Sequence, residues 1–153
     1  MRLFPFFKKK EIFSEKEKEQ IVHSIKHAEM QTSGEVRVFI ESRCSFIDPV
    51  DRAMEIFADL KMEVTEERNA VLIYVALKDK QLAVYGDSGI HEKTGDDFWQ
   101  KAVNNMLFHF NKDNYADGIS HVVQEIGETL KEHFPYNKDT DKNELPDEII
   151  FGK

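Results

Sequence analysis

The sequence predicts an α/β layered domain built on a small mixed β-sheet. Segments with helical spacing of apolar residues are interleaved with short β-branched runs. The first two such runs are joined by a helical segment, a crossover that makes them parallel. The third follows the second across a short polar turn and so returns antiparallel. With 153 residues the chain is most simply one domain, and its 12 phenylalanines supply large groups for a single core.

The first element is a helix. Ser14-Glu15-Lys16-Glu17 is a capping box, in which hydroxyl and carboxylate satisfy free N–H groups reciprocally. Ile21, Val22, Ile25 and Ala28 mark its apolar side to about Gln31, and Thr32-Ser33-Gly34 breaks it. Glu35 to Ser42 is largely alternating and β-branched, a strand. Asp48-Pro49 places an N-cap before a proline at the first helical position, and Ala53, Ile56, Phe57 and Leu60 complete an amphipathic helix.

Asn69 to Leu77 is continuously apolar, as a central strand buried on both faces requires. Lys78-Asp79-Lys80 turns the chain, and Gln81 to Tyr85 is the returning strand. Thr94 with Asp97 caps a third helix carrying Phe98, Trp99, Ala102, Val103, Met106, Leu107 and Phe110. After the polar break Asn111 to Asn114, a fourth helix runs through Tyr115, Ile119, Val122, Val123, Ile126 and Leu130 and ends before Pro135. Residues 1–11 form an N-terminal arm, 12–134 the α/β domain, and 135–153 a polar, flexible tail.

A net charge of −8 argues against nucleic-acid binding and suits cations or a basic partner. The single cysteine, Cys44, forms no intrachain disulfide and fits a reducing compartment. Beside Arg43 it is either a reactive thiolate or, as lone cysteines usually are, inert. No run is long enough to span a bilayer. Met1 to Lys10 sets aromatics beside cations without the order of a signal peptide, so the expected location is cytoplasmic. That arm packs on the domain or makes a weak interfacial contact with anionic lipid.

Strand direction supplies a candidate site. Glu35 at the start of the first strand, Asn69 at the start of the second and Asp87 at the end of the third meet at one sheet edge. Tyr85-Gly86-Asp87-Ser88-Gly89 brackets Asp87 with glycines, which permit positive φ or close backbone approach. The loop from Gly89 to Thr94 brings Asp96 and Asp97 alongside. Such oxygen donors suit calcium, with magnesium as the alternative, and the lack of cysteine or paired histidine nearby argues against zinc. The competing reading gives Asp96 and Asp97 to a helix N-terminus and Asp87 to an Asx-turn.

Other motifs are weaker. Asp113-x-Tyr115-x-Asp117-Gly118 and Asp139-x-Asp141-x-Asn143 both fail the EF-hand pattern. His23 and His27, four apart, lack a third ligand and read as surface residues. His91 in the loop beside Asp87 is either solvated or an acid–base group for a bound phosphate.

At Thr32-Ser33-Gly34-Glu35-Val36-Arg37-Val38, Arg68-Asn69-Ala70-Val71-Leu72-Ile73, Tyr85-Gly86-Asp87-Ser88-Gly89-Ile90 and Asn114-Tyr115-Ala116-Asp117-Gly118-Ile119, the chain resembles the TPM domain family. The resemblance implies a three-layer α/β/α sandwich. The family includes a thylakoid-lumen protein with acid phosphatase activity linked to photosystem II repair and a modulator of an acetylcholine receptor, and some members bind calcium at an acidic cleft. Carried over, Glu35, Asn69 and Asp87 match motif positions, and Asp97 matches the acidic residue after the Gly-rich loop. Members commonly show Asp-Asn-Gly before the central strand; Arg68-Asn69-Ala70 puts a cation there, which weakens a cation site or equips it for an anion.

Two functions follow from these residues. One is a calcium-binding accessory or adaptor domain, whose Glu148-Ile149-Ile150-Phe151 segment adds as a strand to a protein partner or a neighbouring copy, or is a disordered end that docks on its own domain. The alternative is a metal-assisted phosphomonoesterase, with Glu35, Asp87 and Asp97 on the metal, Arg68 on the phosphate and His91 protonating the leaving group.

Overall fold

The computed structural model describes residues 13–46, 48–136 and 149–152. Its elements in chain order are α1 (Glu15–Glu29), β1 (Glu35–Glu41), α2 (Pro49–Asp59), β2 (Ala70–Ala76), β3 (Gln81–Gly86), α3 (Ser88–Thr94), α4 (Asp96–Phe110), α5 (Tyr115–His133) and β4 (Ile149–Phe151). The sheet order is β3-β2-β1-β4. β1 is parallel to β2 and to β4, and β2 is antiparallel to β3, the mixed sheet expected.

Both helix starts form as their sequences dictate. Ser14 Oγ accepts from Glu17 N–H at 3.1 Å while the Ser14 N–H donates to the Glu17 carboxylate at 2.9 Å. Asp48 accepts from Val50 N–H at 2.9 Å, with Pro49 at the first helical position.

Two cores lie on opposite sheet faces. Val36, Val38, Ile40, Val71, Ile73, Val75, Leu82 and Val84 pack under α1, α4 and α5. On the other face Ala70, Leu72, Tyr74 and Ala83 pack against Ala53, Ile56 and Phe57 of α2 and against Met62. Every residue of β2 is buried, as its unbroken apolar run requires. The result is a three-layer α/β/α sandwich.

Three features depart from the expected pattern. The segment from Gly89 to Thr94, expected as a loop, lies in the short helix α3 (Ser88–Thr94), capped by Asp87 accepting from Ser88 N–H at 2.7 Å. Thr94 therefore ends α3 rather than capping α4, whose N-cap is Gly95 at φ 79° and carries no side-chain cap. The polar side of β1 does not face water: Glu35, Arg37 and Glu41 are all buried.

Residues 149–151 pair with Val38–Ile40 of β1, the intramolecular form of the tail-strand reading. The N-terminal arm (1–11) and the Asp139–Asn143 segment lie outside the described residues. Among those described, no helix is long and apolar enough to cross a membrane.

Candidate functional site

Strand register brings the three edge residues together. Glu35 N–H donates to the Asn69 carbonyl at 3.4 Å, and Asp87 N–H to the Ala70 carbonyl at 3.0 Å. Glu35, Asn69 and Asp87 are all buried. The Asn69 amide donates to Ser33 Oγ at 3.2 Å, and that hydroxyl donates to Glu67 at 3.2 Å.

The glycines flanking Asp87 act through close approach, not positive φ. Among the described glycines only Gly95 has positive φ. A Cβ on Gly86 would sit 2.2 Å from the Trp99 ring, and one on Gly89 would sit 2.0 Å from the Glu67 carbonyl oxygen. The turn is thus clamped between the α4 tryptophan and the backbone entering β2.

Asp87 meets an arginine. Its side chain is 3% exposed, and Arg68 grips it with two bonds, Nε to Oδ2 at 2.6 Å and Nη2 to Oδ1 at 2.8 Å. Arg68 itself is 50% exposed and sits in left-handed backbone at φ 52°. That conformation is uncommon for a residue other than Gly, Asn or Asp. Hydrogen bonding and the charge of Asp87 hold the guanidinium above its ordinary pKa.

Beside this pair opens a cleft of about 550 Å³, lined by Val50, Val84, Val103 and Trp99 and by the polar groups of Arg68, Asp87, Ser88 and His91. Trp99 Nε1–H donates to His91 Nδ1 at 2.9 Å. Indole N–H is a donor only, so Nδ1 accepts and the neutral ring carries its proton on Nε2. Nε2 lies 3.3 Å from Asp96, whose side chain is 94% exposed at the rim. Asp97 is exposed on the first turn of α4, where negative charge opposes the free N–H groups.

As arranged, the five residues picked for a cation do not make a cage. Asp87 is occupied by Arg68 and by Ser88 N–H, Asp96 lies exposed at the rim 3.3 Å from His91 Nε2, and Asp97 stands in solvent. Among the described residues no three His, Cys, Asp or Glu side chains gather as a metal-ligand group. An ion at Asp87 has to take the guanidinium's place.

The remaining sequence candidates make local contacts. Arg43 bonds Asp79 at 2.9 Å, and the Cys44 thiol donates to the Phe46 carbonyl at 3.5 Å. His23 and His27 stack at 6.5 Å, and His27 Nε2 lies 2.8 Å from the Gln31 amide nitrogen. Asp117 accepts from Gln20 at 2.8 Å.

Sequence reasoning missed two arrangements. One is the Trp99–His91 contact, whose residues are separated by a helix boundary that no pattern announces. The other is the buried Glu41, held bidentately by Arg52 at 2.9 Å on both oxygens and also bonded by the Tyr74 hydroxyl. Alternation along β1 placed Glu41 on a polar side without indicating that the side is buried.

The TPM domain family model matches residues 7–129. The solution structure of the BA42 protein from the psychrophilic bacterium Bizionia argentinensis is similar at 42% identity, with a TM-score of 0.85, over 95% of this chain and 99% of that one. The N-terminal domain of the cg2496 protein from Corynebacterium glutamicum shares the fold alone, at 14% identity and a TM-score of 0.57, over 77% of this chain and 74% of that one. No curated protein matches.

Proposed function

Because this chain belongs to the TPM domain family, we propose that it is a non-catalytic accessory domain whose sheet edge binds a divalent cation, calcium by preference, in exchange for the Arg68 contact. One observation carries this reading. Asp87 is desolvated, yet its positive partner is an arginine already half in water. A buried carboxylate needs a compensating charge, whereas an exposed guanidinium returns to solvent at little cost. Asp87, Asn69 and Glu35 are the oxygen-bearing side chains this edge offers a hard cation.

Amide NMR shifts and melting temperature across a millimolar calcium titration test the proposal, with magnesium as comparison. Shifts should cluster at residues 34–35, 68–69 and 86–97. Arg68→Gly should tighten calcium by about tenfold, near 1.4 kcal/mol, and Asp87→Asn should abolish the response. Melting temperatures indifferent to calcium in both the native chain and Arg68→Gly would reject the cation reading. Turnover of a generic phosphate ester that disappears in Asp87→Asn would overturn the non-catalytic one.

A further inference from the structure

We propose that the cleft between β3, α4 and the first turn of α2 is a binding site for a small carboxylate with an apolar body. Its volume of about 550 Å³ falls within the range of small-molecule sites. The walls divide by chemistry. Val50, Val84, Trp99 and Val103 form an apolar side, and Val50 is a partly uncovered aliphatic group at the start of α2. Arg68 and Ser88 stand at the polar end.

The hydrogen-bond inventory selects the head group. Asp87 accepts two bonds from Arg68 and one from Ser88 N–H. His91 Nδ1 is taken by Trp99 and its Nε2 stands 3.3 Å from Asp96, and the Gln100 amide nitrogen donates to Asn104 at 3.1 Å. Beside Asp87 the groups with capacity left are donors, Nη1 of Arg68, the guanidinium nitrogen that Asp87 does not take, and the exposed hydroxyl of Ser88, while the acceptors that remain in the lining, the Asp96 carboxylate and the Gln100 carbonyl, belong to exposed residues. A ligand head seated against Arg68 and Ser88 accepts hydrogen bonds, and a carboxylate does so with charge assistance. Asp87 pins the guanidinium, so little side-chain entropy is lost when the ligand arrives. Asp96 opposes a second negative charge, but at 94% exposure its field is screened by water and salt. An ammonium head finds the buried carboxylate already saturated.

This site goes beyond the cation reading and is tested apart from it, in buffer containing EGTA. Trp99 is the only tryptophan in the chain, so its emission reports on the cleft. Octanoate is the probe, with octanamide and octylammonium as neutral and cationic counterparts. Octanoate should shift the emission saturably and move the amides of Val50 and Ser88 and the Trp99 indole N–H in NMR spectra. The two counterparts should bind at least about tenfold more weakly, and Arg68→Gln should weaken octanoate by a similar factor. The probe comparison on the native chain needs no variant, so it decides the matter even if Arg68→Gln folds poorly. Octylammonium binding as tightly as octanoate, a response that never saturates, or shifts centred away from the cleft would each overturn the proposal. Calcium responses measured without octanoate then succeed or fail on their own.

Discussion

Replacing Arg52 with methionine should destabilise the fold by about 3 kcal/mol at neutral pH. Glu41 has a side chain only 7% exposed, and Arg52 supplies two 2.9 Å bonds to it. Removing one member of a buried pair costs about 3–5 kcal/mol because the other charge is left uncompensated. The low end applies because Arg52 is 22% exposed, so water partly replaces it. Methionine keeps an apolar stem near Phe39 and Phe46, over which the guanidinium now lies at 5.8 and 5.9 Å. In a domain of this size the loss corresponds to a fall in Tm of about 6–12 °C.

The pH dependence separates this mechanism from lost packing. Burial pushes Glu41 upward, but the hydrogen bonds from Arg52 and Tyr74 and the charge of Arg52 outweigh it, and the net pKa lies below its ordinary value of 4.5. A depressed folded pKa gives stability that is present above the unfolded value and lost as pH falls through the folded one. Without Arg52, burial dominates and the folded pKa rises. The penalty is then complete at pH 7 and is relieved as Glu41 takes up a proton in acid. Urea unfolding of both proteins from pH 7 down to about pH 4 should show the difference shrinking with acidity. A difference below about 1 kcal/mol, or one constant across that range, would refute the reasoning.

Gly89→Ala should cost more than about 3 kcal/mol, beyond ordinary overpacking, because its Cβ would meet a backbone carbonyl at 2.0 Å that cannot step aside; equilibrium denaturation measures it. Gly86→Ala should be milder and should instead displace Trp99, visible as a red shift in emission, since the clash is with that ring. Gly95→Ala has open space around it but φ 79° and ψ 176°, and should cost about 1–3 kcal/mol through backbone strain alone. Ser14→Ala should lower stability by about 1 kcal/mol and speed amide exchange in the first turn of α1, where the capping box is lost.

Much of the architecture is legible in the sequence. Capping chemistry marked the starts of α1 and α2, the uninterrupted apolar run identified β2, and connection type set the strand directions. Those directions alone brought Glu35, Asn69 and Asp87 to one edge. The short helix α3 escaped because seven residues offer too little periodicity, and His91 and Lys93 read equally well in a loop. Gly95, which separates α3 from α4, gave no sign of its left-handed turn beyond being glycine.

The chain by itself therefore determined the elements, their order, the mixed sheet and which residues share its edge, because periodicity and connection length are local properties. Only the tertiary structure decided what each polar group meets. Asp87 was read as a ligand awaiting a cation, and the fold hands it the guanidinium of Arg68, 19 positions earlier. Glu41 is one more polar residue in the alternating run of β1, and the fold buries it with Arg52 and Tyr74, 11 and 33 positions away. Coulombic and hydrogen-bond partners are selected within about 3 Å in space. Spacing along the chain carries no record of that distance.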